Sequence, residues 1–134
     1  MKHGLFVFIV AFLLNFVWEN LHSVLYLNYR GGFISEYILA RSAVVDAFMV
    51  TLIVLVVLHL SFFKQKTLSI VVVGFVVATG LEIWALQSVR WAYAPSMPLI
   101  PLLNVGVSPA VQLAITGLVA LYLSGLARLK LSTT

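Results

Sequence analysis

Polar side chains are scarce along this chain, and most gather where the apolar runs stop. Four apolar runs stand out, at about residues 4–27, 37–63, 67–89 and 108–127. Each meets the ~20 residues that an α-helix needs to cross a hydrocarbon layer about 30 Å thick. The pattern predicts an all-α integral membrane protein, a four-transmembrane-helix bundle in one domain over residues 1–134, multi-pass in the cell (inner) membrane. Lys2 and His3 precede the first run, as in a signal peptide. That run is too long for an h-region and no small-x-small cleavage pattern follows, so it reads as a retained helix.

The fourth helix can start in two ways. Ser108 as N-cap with Pro109 at the first helical position is preferred. The alternative is a helix from Leu102 that kinks at Pro109. The preferred start leaves 90–107 as a long outer loop. Pro95, Pro98 and Pro101 recur at every third position there, so they share a face in an extended polyproline conformation. The loop is expected to form a stiff lid or a re-entrant segment. Lys2, Lys64, Lys66, Arg128 and Lys130 fall on one side of the bundle, and Arg30, Arg41 and Arg90 on the other. That excess puts both termini in the cytoplasm. Trp91, Tyr93, Tyr26, Tyr29 and Tyr37 then lie at the outer interface, where amphipathic rings are favoured.

Composition agrees. Of 134 residues, 63% are hydrophobic and 9% charged, and mean hydropathy is +1.13. Soluble domains run at about 25% charged, so the ordinary soluble classes and disorder are excluded. The chain has no Cys, which removes disulfides, thiol nucleophiles and thiolate metal sites. The net charge of +4 follows from the loop lysines and arginines, and no nucleic-acid footprint is present.

The informative residues are the exceptions inside the runs. The chain has four acidic residues, and Glu19, Asp46 and Glu82 lie within apolar helices, with only Glu36 in a loop. Counting from each midpoint at ~1.5 Å per residue puts all three about 5 Å to the outer side of the midplane. Asn15, Glu19, His22 and Tyr26 share one helical face, as do Ser42, Asp46 and Met49, then Thr79, Glu82 and Leu86, then Ser108, Gln112 and Thr116. Lipid offers no hydrogen bonds, so the four stripes are expected to face one another.

Ionisable groups in hydrocarbon cost about 2.5–3.5 kcal/mol each on insertion scales, and they mark function by default. Glu19 and Glu82 are the candidate proton donor and acceptor, with Asp46 tuning them and His22 shuttling protons or orienting. Asn15, Trp18, Gln112, Arg41, Arg90, Trp91 and Tyr93 are the candidates for holding a substrate. Trp18, Trp84 and Trp91 could stabilise a carbocation over their ring faces. The expected activity is binding or conversion of a lipidic, isoprenoid-like small molecule by carboxylate acid–base chemistry, of isomerase or cyclase type. There is an analogy of architecture with small helical membrane isomerases and cyclases of the sterol-isomerase type, which also place Glu, Asp, His and Trp in a bundle pocket. Their signature residues do not recur here at matching spacing, so the analogy transfers no residue.

Three alternatives stand beside this reading. Glu19-Asn20-Leu21-His22 is a Glu-x-x-His, which with Asp46 and Glu82 could form a metal site, although no metal or other cofactor is expected. Acids at one depth also suit a small proton- or cation-coupled transporter. The third is a purely structural polar network. The expected partners are membrane lipids and a hydrophobic small molecule, with no nucleic acid. Gly74, Ala78, Gly117 and Gly125 would permit close contacts in a homo-oligomer. His3 and His59 lie far from the acids and are not assigned a role.

Overall fold

A computed structural model describes residues 2–125. It is mostly helical: α1 (Lys2–His22), α2 (Glu36–His59), α3 (Lys66–Gln87) and α4 (Val107–Leu123). Lys2–Leu25, Glu36–His59 and Lys66–Gln87 are each long and apolar enough to cross a membrane, and α4 is a shorter apolar helix of 17 residues. Short 3-10 and β segments occupy one end of the bundle: a 3-10 turn (Ser23–Leu25), β1 (Tyr26–Tyr29), β2 (Trp91–Tyr93), β3 (Leu99–Ile100) and β4 (Val105–Gly106). We call this the ribbon end. The opposite, terminal end holds the start of α1 and the link from α2 to α3.

The ribbons correct the all-α expectation. β1 pairs antiparallel with β2, and β3 with β4, so residues 90–107 form neither a polyproline strap nor a re-entrant helix. The proline spacing is overruled by pairing: Ala94 donates to the Leu25 carbonyl, and the Pro98 carbonyl accepts from Val107. Leu102 and Asn104 take left-handed backbone conformations (φ 71° and 53°) in the turn between β3 and β4, which also excludes a helix from Leu102.

Helix ends shift for local reasons. The first helix stops at His22 rather than Leu27, because the chain turns through a 3-10 segment into β1. Asn28 then accepts from the Gly31 N–H at 3.0 Å, and Gly31 has φ 75°, the turn chemistry expected of Asn and Gly. Ser35 caps α2 by accepting from Ile38 N–H. That helix ends at His59, short of Phe63, where the Lys66 ammonium donates to the carbonyls of Val57 (2.9 Å) and Leu60 (2.7 Å). A cation on the last carbonyls complements the helix dipole.

The start of α4 is corrected by two residues at its cap. Gly106, not Ser108, is the N-cap residue. The Gly106 N–H donates to the Tyr93 hydroxyl (2.9 Å) and the Val107 N–H to the Pro98 carbonyl (2.8 Å). The loop caps the helix, and the Ser108 hydroxyl is released for other partners. The expected end at Ala127 and the basic residues Arg128 and Lys130 lie outside the described residues.

Helix α1 packs along α2, and α3 along α4, with less extensive contact between α1 and α4. At Gly74 the α3–α4 crossing is so close that a Cβ would stand 2.8 Å from the Ala114 nitrogen and 2.9 Å from its Cα. A Cβ on Gly117 would meet Ile70 at 3.2 Å, and Ala78 is buried. Three of the small residues expected to serve an oligomer are therefore spent inside this chain, and Gly125 follows the α4 cap with φ 70°. The terminal half is filled by Val7, Ala11, Val50, Val54, Val57, Ile70 and Leu121, all nearly solvent-free. Leu13, Val17, Phe48, Leu52, Val72 and Val76 point outward, so the outer surface of the bundle is apolar.

Candidate functional site

In the ribbon-end half the four polar stripes meet. The Gln112 side chain on α4 directs Nε2 at three oxygens: Asn15 Oδ1 (3.0 Å) and Glu19 Oε1 (2.8 Å) on α1, and Asp46 Oδ2 (2.9 Å) on α2. One amide has two N–H protons, so three acceptors share two donors. Asn15 is held in turn by donating to the Ala11 carbonyl (2.8 Å). Thr116 donates to the Gln112 carbonyl (2.8 Å), one turn back along α4.

Glu82 on α3 is held differently. Its Oε1 accepts from the hydroxyls of Tyr26 (2.9 Å) and Tyr93 (2.7 Å), both on the ribbon. Among the described residues no donor meets its Oε2. Both tyrosines resist ionisation. Burial raises the Tyr26 hydroxyl far above its ordinary value, and the Glu82 charge adds to this. Burial and Glu82 push the Tyr93 hydroxyl up in the same way. For Tyr29, burial acts upward, but its hydrogen bond from Arg41 and the charges of Arg41, Arg30 and Arg90 bring the hydroxyl down.

A cavity of about 200 Å³ opens beside these groups, lined by Glu19, Asp46, Glu82, His22 and Gln112 together with Tyr26, Arg41, Trp84, Arg90 and Trp91. At ~30 Å³ per water it has room for about six waters, or for the end group of a longer molecule. The three acids thus line one space, with a fourth stripe supplying Gln112. Neither arginine neutralises them. Arg41 donates to the Tyr29 hydroxyl and lies over its ring, while Arg90 lies over the Trp84 ring at 4.4 Å. Among the described residues the one contact within 4 Å between an acidic and a basic side chain is Glu19 Oε1 with His22 Nε2, at 3.4 Å. Trp91 closes the rim against Tyr26 and Tyr29, each at 4.9 Å between ring centres.

Some expected contributors stand elsewhere. Asn15 lies beneath the cavity and orients Gln112. Tyr93 acts through Glu82 and does not line the cavity. Trp18 faces a different side of α1, in an apolar groove against α4, and donates its indole N–H to Ser108 Oγ (3.2 Å). The metal alternative is not assembled: among the described residues no three His, Asp or Glu side chains are placed to hold one ion. Glu82 is drawn to the tyrosines and Asp46 to Gln112. Two contributors were missing from the expected site. Tyr26 holds Glu82, and its signal was its place four residues after His22 on the polar stripe. Ser108 Oγ lies 2.9 Å from His22 Nδ1, and its signal was the spacing of four to Gln112.

Comparison with family models, with curated proteins and with solved structures finds no match.

Proposed function

We propose that this chain is a multi-pass protein of the cell membrane, with its ribbon end outward and its termini in the cytoplasm, that binds or converts a lipidic small molecule by carboxylate acid–base chemistry. The orientation rests on the sequence count of loop and tail cations, Lys2, Lys64, Lys66, Arg128 and Lys130 against Arg30, Arg41 and Arg90. One observation carries the functional reading: three carboxylates from three helices line one cavity in an apolar bundle, and both nearby arginines are engaged with aromatic rings. A structural network gains only about 0.6–2 kcal/mol per contact and does not require a cavity at its centre.

In this reading Glu82 exchanges a proton with the ligand through Oε2, while Tyr26 and Tyr93 fix its other oxygen. Glu19 is the opposite partner, Asp46 tunes it, and His22 links Glu19 to the bundle's edge. Trp84 and Trp91 offer ring faces to a developing cation. The small cavity takes the reacting end of the ligand and leaves its tail outside. Transport is less well supported, because the terminal half is packed with apolar side chains and, among the described residues, supplies no polar relay.

The test is the set of native lipids and small molecules that remain bound on gentle extraction, compared between wild type and Glu82→Gln. A species enriched with the wild type and lost from the variant is expected. Identical bulk lipid on both proteins, with the variant merely less stable, would refute the proposal and favour a structural role for the acids.

A further inference from the structure

We propose that Ser108 is a nucleophile for acyl transfer, with His22 as its base, acting on an ester of a single-chain lipid whose tail lies between α1 and α4. The inference shares His22 and Glu19 with the acid-lined cavity but places its ligand in a different space. It rests on a second space and on a hydroxyl that helix capping does not use.

The side-chain order is that of an activated hydroxyl. Ser108 Oγ lies 2.9 Å from His22 Nδ1, and His22 Nε2 lies 3.4 Å from Glu19 Oε1. Nucleophile, base and orienting carboxylate in sequence are what serine acyl transfer needs, whichever ring nitrogen faces which group. Trp18 fixes the direction of the chain. Its indole N–H can only donate, and it donates to Ser108 Oγ, so the serine proton is free to point at Nδ1. The neutral imidazole then carries its proton on Nε2, toward Glu19.

The surroundings suit an acyl ester. The open groove between α1 and α4 has a volume of about 550 Å³. Its walls are Leu14, Val17, Leu21, Ile115 and Val119, and its polar end is Trp18, Ser108 and His22. It opens on the lipid-facing side, since Val17, Leu21 and Ile115 are exposed. His22 also lines the acid cavity, so one imidazole separates an apolar space from a polar one. An acyl chain of the surrounding bilayer fits the first, and water reaches the second. Among the described residues the Ser108 N–H has no acceptor, while Gly106 and Val107 are already bonded and Pro109 has no N–H. The free N–H at the nucleophile is available to a developing oxyanion.

The reaction balances without a cofactor. Ser108 Oγ attacks the ester carbonyl carbon as its proton passes to His22 Nδ1. The bond from carbon to the leaving oxygen then breaks, and the departing alcohol takes that proton. Water attacks the acyl-serine, His22 accepts and returns one proton, and the fatty acid leaves with Ser108 restored.

The test uses the whole protein in bilayer nanodiscs, treated with dodecyl or ethyl fluorophosphonate, and the labelled residue is mapped by mass spectrometry. Oγ–P bond formation with loss of fluoride is expected at Ser108, faster with the dodecyl probe, abolished in Ser108→Ala and about 100-fold slower in folded His22→Asn. No label at Ser108 in the wild type overturns the proposal, as does equal labelling in His22→Asn or labelling of exposed Ser61 at the same rate. If either variant fails to fold, the wild-type site and its chain-length preference decide. The probe reads Ser108 and the lipid-retention comparison reads Glu82, so the two proposals fail separately.

Discussion

Replacing Gln112 with Leu tests whether the bundle is held together by its polar centre. Leu is close to Gln in bulk and removes the side-chain amide, its two N–H donors and its carbonyl acceptor together. Contacts of 2.8 Å to Glu19 and 2.9 Å to Asp46 are lost, along with 3.0 Å to Asn15. In a soluble core, hydrogen bonds to charged groups contribute about 1.5–3 kcal/mol each, which for two would be roughly 3–6 kcal/mol. Interhelical bonds measured in membranes average ~0.6 and reach ~1.7 kcal/mol, because separated helices also find partners in the bilayer. Two acids close together have poorer alternatives than a lone polar group, so the upper membrane value applies to each. The expected loss is about 2–4 kcal/mol. Thr116→Val is the internal control: it removes a bond to the backbone and a 3.5 Å contact to Asn15, and costs at most about 1 kcal/mol. The assay is reversible unfolding in mixed micelles, followed by loss of helicity as denaturing detergent is added. If Gln112→Leu falls within about 0.5 kcal/mol of wild type, the range of an ordinary surface change, or matches Thr116→Val, the acids are not organised by this amide and the account of the site is wrong.

Two other expectations concern packing and charge. Gly74→Ala should destabilise by about 1–3 kcal/mol, because its Cβ meets Ala114 backbone at 2.8 Å, whereas Gly80→Ala on the same helix meets nothing within 4 Å and should gain about 1 kcal/mol of helix propensity. Equal thermal stability of the two variants would refute the close α3–α4 crossing. In an alkaline titration, Tyr29 should ionise below the ordinary tyrosine value of 10.0, and Tyr26 and Tyr93 above it. Raised values mean that stabilisation from Tyr26 and Tyr93 is complete below that pH and lost as pH climbs past it. Tyrosinate absorbance compared among Tyr29→Phe, Tyr26→Phe and Tyr93→Phe checks the order, and an early step that survives Tyr29→Phe would contradict it.

The bundle and the meeting of its stripes were readable in the residues, because lipid leaves polar side chains nowhere to go but inward. A count of residues puts Glu19, Asp46 and Glu82 near one level in helices running alternately, and all three line one cavity. The ribbons were not readable. Strands of two to four residues are too short for alternation to register, and β1 and β2 are far apart in sequence. The start of α4 was misplaced for a related reason: its cap comes from Tyr93 and Pro98, so the local Ser-Pro signal, though real, was outbid. Trp18 precedes Glu19 by one residue, which turns it about 100° around α1, out of the cavity and into the groove. Gly74 and Gly117 were ambiguous in principle, since a seam of small residues looks the same whether the partner helix belongs to this chain or to another.

The hydroxyl of Tyr93 has two duties at once: it donates to Glu82 and accepts from the Gly106 amide at the head of α4. One phenol oxygen therefore ties the acid on α3 to the cap of α4, and the placement of Glu82 and the entry of the chain into the helix bearing Ser108 and Gln112 depend on the same atom.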